Sequence, residues 1–184
     1  MFRKLTSSVI ARFDSFRLDR SGTSAVEFAF ILPIMVVLYF GCVEVSEAVS
    51  VNRKVTAVSS AAGDLVAQAS TLSNSEMDDI FAAARAIISP YSTGPLKIVI
   101  SSIDIDEDGN TKVQWSRAEN AIARTKGSTV SIPDGLKIEG TTLIMAEVDY
   151  VYTSVFADFF AGPIPLAETF YLRPRKVAAV PEPA

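Results

Sequence analysis

The sequence predicts an α+β fold: a long apolar N-terminal helix that crosses a membrane, then a domain whose second half is an antiparallel sheet. Three observations predict it. Phe28 to Val43 is an uncharged, mostly apolar run of about 16 residues, bounded by Glu27 and Glu44. Past it, from Ala48 to Leu72, small apolar residues recur at helical spacing. Beyond Pro95 the pattern changes to Ile- and Val-rich alternating runs, broken by Asp-Gly and Pro-Asp-Gly turns.

Composition narrows the function classes. The chain has 184 residues, 49% hydrophobic, with a mean hydropathy of +0.30, which suits one domain plus an anchor. Its net charge of −4 is unevenly divided. Arg3, Lys4, Arg12, Arg17 and Arg20 outweigh Asp14 and Asp19 before residue 22, so everything after is more acidic than the total. An acidic domain argues against nucleic acid as a partner. Cys42 is the one cysteine, so no internal disulfide forms. The absence of histidine removes imidazole metal sites, Ser-His and Cys-His nucleophiles and a histidine base. The expectation is a protein that is not an enzyme and takes no cofactor.

Met1 to Gly22 reads as a basic cytoplasmic leader. Cations flank the apolar run on its N-terminal side, and the next ones are Arg53 and Lys54. The positive-inside bias then leaves the N-terminus in the cytoplasm and the C-terminus outside. The leader reads as disordered, with Val9, Ile10, Phe13 and Phe16 offering an amphipathic helix as the alternative. A secretory signal peptide is a competing reading of the same charge pattern. Gly41-Cys42 invites lipid attachment, but Tyr39 stands where such sites want an aliphatic residue. Cys42 is otherwise a small apolar residue in lipid.

A spanning helix needs roughly 20 apolar residues at about 1.5 Å each. Phe28 to Val43 alone gives about 24 Å, so Thr23 to Glu27 must also enter the membrane edge. That makes Glu27 costly unless its carboxylate is neutral or paired. A cut after Gly22 would supply a partner. Thr23 would carry a free ammonium group, and positions i and i+4 share a helix face. The amine of a neighbouring chain would serve equally.

A glycine followed five residues later by glutamate, opening an apolar helix, resembles the prepilin peptidase site of type IV pilins. The longer run Arg20-Ser21-Gly22-Thr23-Ser24-Ala25-Val26-Glu27-Phe28-Ala29-Phe30-Ile31-Leu32-Pro33 resembles more narrowly the TadE-like family, pilin-like proteins of the tight-adherence (Flp pilus) assembly system. Pro33 fits that pattern, and membrane helices tolerate the missing hydrogen bond. The resemblance implies a pilin-like fold, a long transmembrane helix packed on an antiparallel sheet, and a role as minor pilin or pseudopilin in assembly of a Tad/Flp-type pilus. It implies processing after Gly22, with Thr23 as the new N-terminus and Glu27 guiding processing or subunit register. Its implied partners are the prepilin peptidase and other pilin-like subunits. Its implied location is the bacterial inner membrane, single-pass, with a periplasmic C-terminal domain. One departure is Thr23, where many pilins place Phe. The alternative is an uncleaved, tethered periplasmic binding module.

The remaining elements follow in order. Ala48, Val51, Val55, Val58, Ala62, Leu65, Ala69 and Leu72 form a seam of period near 3.5, so the helix is expected to run to Leu72. It packs on this chain's own sheet or on partner helices. Gly63 weakens it by about 1 kcal/mol. Ser75 reads as the N-cap of a second helix with Met77, Ile80, Phe81, Ala84, Ile87 and Ile88 on its apolar face, ending before Pro90.

Leu96 to Ile105 is a strand whose phase shifts near Ser101-Ser102, from a bulge or burial on both faces. Asp108-Gly109 tips a hairpin, in whose return strand Val113, Trp115 and Arg117 alternate with Lys112, Gln114 and Ser116. Asp104-x-Asp106-x-Asp108-Gly109 copies the first half of a calcium loop, but the usual twelfth residue falls on Trp115 instead of Glu. A plain solvated hairpin is the preferred reading. Ala118 to Arg124 suggests a helical turn and Pro133-Asp134-Gly135 a turn. Thr141 to Phe156 is a strand, with Glu147 and Asp149 on its solvated face and Ile144, Ala146, Val148, Tyr150 and Tyr152 opposite. Phe156, Phe159 and Phe160 read as a lid on the core, and Leu166, Glu168, Phe170 and Leu172 alternate in a final strand. The expected divisions are leader 1–22, helix 23–72, domain 73–176 and a flexible tail 177–184.

Overall fold

The computed structural model describes residues 22–154 and 162–184. Residues 1–21 of the expected leader, with its amphipathic alternative, and the three phenylalanines after Tyr152 lie outside the described residues. The fold is α+β with a pilin-like layout: a long apolar helix, α1 (Thr23–Gln68), and an antiparallel sheet of four strands. The chain divides into two units, 1–44 and 45–184, with the boundary inside α1.

In the first unit, α1 exposes apolar side chains on all sides, including Val26, Phe28, Phe30, Ile34, Val37 and Leu38. A helix that is apolar and exposed all round over residues 28–38 suits a lipid environment. It is the one described helix long and apolar enough to cross a membrane. Pro33 sits within it. Its missing N–H leaves one helical carbonyl without that donor.

In the second unit, α1 turns amphipathic. Val51, Val55, Val58, Ala62, Val66 and Ala67 are buried, whereas Leu65 is exposed. The seam therefore follows the expected phase up to Ala62 and then departs from it. A straight helix drifts about 20° per heptad against a 3.5 repeat. By the last turn the buried stripe has moved from Leu65 to Val66 and Ala67. The helix ends at Gln68, short of the expected Leu72.

Helix α2 (Asn74–Ile88) buries Met77, Ile80, Phe81, Ala84 and Ile88, as the pattern predicts. Its N-cap is Ser73, not Ser75. The Ser73 hydroxyl accepts from the Glu76 N–H at 3.2 Å, and the Ser73 N–H donates to Glu76 Oε2 at 2.8 Å. Only Ser73 stands three residues before a glutamate that can reach back, and that spacing decides between the two serines. The Ser73 N–H, and the Ser73 hydroxyl at 2.9 Å, hold the Glu76 carboxyl below its ordinary value.

The strands are β1 (Lys97–Ile105), β2 (Thr111–Glu119), β3 (Thr141–Tyr152) and β4 (Ile164–Leu172), ordered β2-β1-β3-β4. One sheet face carries Ile98, Ile100, Ile144, Ala146, Val148 and Tyr150 into a core shared with α1 and α2. At Gly63 α1 lies close on the sheet: a Cβ there would lie 2.6 Å from Leu172 Cδ1 and 3.3 Å from Ala146 Cβ. On the outer face a second cluster joins Ile103, Ile105, Val113, Leu143 and Met145 to Val130 and Ile132. Strand β1 is thus covered by helices at one end and by the 130–136 segment on the other face at the opposite end. That explains its phase shift in the sequence.

The irregularity expected near Ser101-Ser102 resides in β2. Ser102 pairs with Trp115 and Ile103 with Val113, so Gln114 is an extra residue. This bulge overturns the simple alternation expected there. Val113 joins the outer cluster and Trp115 the helix-side core.

The expected helical turn over Ala118 to Arg124 does not form. Ala118 and Glu119 complete β2, and Asn120 has φ 51°, a left-handed conformation that asparagine tolerates. The following segment lies along β2, where Gly127 and Ser128 exchange backbone bonds with Val113, and Thr129 bridges to Lys112.

The tail expected to be flexible is docked. Val180 is fully buried, and its carbonyl accepts from Trp115 Nε1 at 2.8 Å. Composition suggested fraying, but a partner 65 residues away in sequence outweighs it.

Candidate processing and assembly site

The segment singled out by sequence is the start of α1. The Gly22 carbonyl accepts from the Val26 N–H at 3.1 Å, so Gly22 closes the first helical turn from outside and Thr23 is the first helical residue. Glu27 follows Thr23 by four positions on the same face and is exposed. No acidic side chain occupies the first turn of α1. A positive charge on Thr23 would therefore meet Glu27 before any other carboxylate of this helix.

The fold places no demand for glycine at position 22. Among the described residues, a Cβ built there meets nothing within 4 Å, and its backbone is not left-handed. At Gly63, by contrast, packing explains the residue. Further along the anchor, Tyr39 and Phe40 stack edge to face at 5.6 Å, and Cys42 is exposed.

The acidic hairpin is organised differently from a cation loop. The Asp106 carboxylate accepts from the backbone N–H groups of Asp108 (3.1 Å) and Asn110 (2.7 Å) and from the Asn110 side chain (3.1 Å). These bonds lower its pKa, the Asn110 backbone bond most. Asp104, on β1, accepts from Gln114 at 3.3 Å. Among the described residues no three acidic or thiol side chains gather as a metal site. Asp104, Asp106 and Asp108 thus have the spacing of ligands without their convergence. Gly109, at φ 76°, is required by the turn itself.

Sequence reasoning did not find the groove on the outer sheet face. Its volume is about 630 Å³, with Lys97, Val99, Glu147 and Asp149 on the floor and residues 120–125 on one side. Arg124 spans it with two bonds to Glu147, at 2.7 and 2.6 Å, which hold the guanidinium firmly charged. Glu147, read from the sequence as solvated, is therefore the anchor for the loop after β2. Only the wide separation of Arg124 and Glu147 in sequence hid the pair.

The family model described as TadE-like protein matches residues 22–64 of this chain. The match covers Gly22, the apolar part of α1 and most of the part that packs on the sheet. No curated protein and no solved structure matches the chain.

Proposed function

From a TadE-like segment that coincides with a lipid-suited helix, and so an expected tie to the Tad pilus system, we propose that this protein is a membrane-anchored minor pilin or pseudopilin acting in pilus assembly. The single observation that carries the reading is the coincidence at residues 22–64 of the family match with α1, the helix apolar on all sides at its start and sheet-packed at its end. The leader faces the cytoplasm and the second unit faces the periplasm of a bacterial inner membrane. The role is assembly, without catalysis.

The prepilin peptidase cuts after Gly22. A glycine that the fold does not require supports recognition by an outside agent. The new Thr23 amine then meets Glu27 of its own chain or of a neighbouring pilin-like subunit, removing the cost of a lone carboxylate at the membrane edge.

The test is the N-terminal sequence of the protein purified from its own membranes, with and without the peptidase. A start at Thr23 that reverts to Met1 without the enzyme is the expected result. A start at Met1 in both strains refutes processing.

The outer groove favours a second reading, a tethered module that binds a periplasmic ligand. Glu27→Leu separates the two. A passive anchor works as well or better without a charge, whereas a pilin-type helix loses assembly.

A further inference from the structure

Residues 175–184 cross the helix side of the sheet as a strap without regular secondary structure, held in large part through its backbone. Trp115 Nε1 donates to the Val180 carbonyl, Arg117 Nη2 to the Pro183 carbonyl at 3.0 Å and Thr142 Oγ1 to the Ala178 carbonyl at 2.5 Å. The Asn74 N–H donates to the Ala184 carbonyl at 3.0 Å. In return the strap's Arg175 and Ala184 N–H groups donate to the carbonyls of Ala67 and Leu72. Four donors, from β2, β3 and the start of α2, are thus aimed at peptide carbonyls.

Side chains add to these contacts: Arg175 pairs with Asp64 at 2.5 Å, Val177 packs against the core and Pro183 is buried. Val180 fills the core beside Trp115 and is fully buried. Glu182 meets Lys126 at 2.7 Å and Arg117 at 3.5 Å. Pro181 and Pro183 lack an N–H, so this segment offers mainly carbonyls, and the slot supplies mainly donors. An indole donor reading an extended proline-containing segment is a known mode of peptide recognition. The slot therefore has a legible specificity: an aliphatic residue, then proline, then a carboxylate.

We propose that this slot is an exchangeable subunit contact, which accepts residues 176–184 of a second copy of this chain in place of its own. The contacts are the same in either arrangement, so the effective concentration of the competing segment sets the outcome. Arg173-Pro174 leads out of β4 directly into the strap, without a hairpin to fold back. The inference concerns the second unit alone and stands whether or not the pilus reading does.

The chain's single tryptophan reports slot occupancy. Val180→Asp in the full chain, in detergent micelles, frees the strap and shifts Trp115 emission to the red. A peptide of residues 173–184, which contains no tryptophan, returns the emission to its wild-type position in a saturable way. The same peptide carrying Asp at position 180 has no effect. Adding intact full-length Trp115→Phe chain, optically silent but with its strap complete, produces the same return. If Val180→Asp loses its far-ultraviolet circular dichroism, Val180→Ala replaces it with the same readout. No response to the peptide in a folded variant overturns the slot. A response to the peptide with none to the intact second copy overturns the exchange.

Discussion

Gly63→Ala measures how closely helix α1 lies on the sheet. On a solvent-facing helix this change stabilises by about 1 kcal/mol, because glycine carries the larger entropy cost. Here the new methyl would lie 2.6 Å from Leu172 Cδ1 and 3.3 Å from Ala146 Cβ. Leu172 can turn its methyl away, but Ala146 Cβ is fixed to the backbone of β3. Overpacking of this kind costs about 1–3 kcal/mol, so the net expectation is a loss of about 0–2 kcal/mol. Gly63→Val adds two more methyls and loses more.

The assay is denaturant unfolding of the full chain in micelles, followed by Trp115 emission. Leu172→Ala supplies the control. In that background the contact with Leu172 is gone and only the milder one with Ala146 Cβ at 3.3 Å remains, so Gly63→Ala costs less, a coupling of about 1 kcal/mol. A gain near 1 kcal/mol from Gly63→Ala in the otherwise unaltered chain would refute the reasoning. It would mean that the glycine is a tolerated weakness, not a packing requirement.

Two further predictions follow from single contacts. Ser73→Ala removes the α2 cap and lowers stability by about 1 kcal/mol, read as a lower denaturation midpoint, whereas Ser75→Ala changes little. Because Glu76 is held below its ordinary value of 4.5, the cap's contribution is complete above that pH and fades as pH falls through the folded value. The Ser73→Ala chain should show a shallower acid limb over that window. Tyr91 donates to Glu47 at 2.7 Å, and chiefly through this bond its pKa is pushed up to about 12. The folded state holds the phenol proton longer than the unfolded state. Stability is therefore full below pH 10 and declines toward pH 12, and Tyr91→Phe should flatten that decline in a series of midpoints against pH. An unchanged alkaline limb would show that the hydrogen bond is not kept in solution.

Much of the architecture was legible because it rests on local period. The apolar run, the apolar face of α2 and the β3 alternation each state their own environment. The misses arise where the partner is distant or the period slips. Leu65 was placed on the seam and is exposed, because the buried stripe of a straight helix moves while a 3.5 repeat stands still. The sequence reading takes Ser75 as the cap, although the reach-back spacing from Ser73 to Glu76 is present in the sequence. The strap, and the Arg124–Glu147 pair over the outer groove, are tertiary contacts across 65 and 23 positions that no local pattern records. At the candidate site, the resemblance to a prepilin peptidase site singles out Gly22, Thr23 and Glu27, and the i, i+4 spacing puts the last two on one helix face. The structure adds that glycine at the first of them has no steric reason inside the fold.

The extra residue in β2 makes deletion there a different kind of lesion from substitution. Replacing Gln114 removes its bonds to Ser102 and Asp104 and leaves the backbone count intact. Removing it makes Val113 and Trp115 neighbours, opposite the neighbours Ile103 and Ser102, and neighbouring residues of a regular strand point to opposite faces. Val113 then keeps the outer cluster and Trp115 the helix-side core, and what is lost is the local bend and twist of the bulge. A second inserted residue is the harmful change, because it reverses the in-out parity of everything on one side of it. The ladder thus tolerates a shorter β2 better than a longer one.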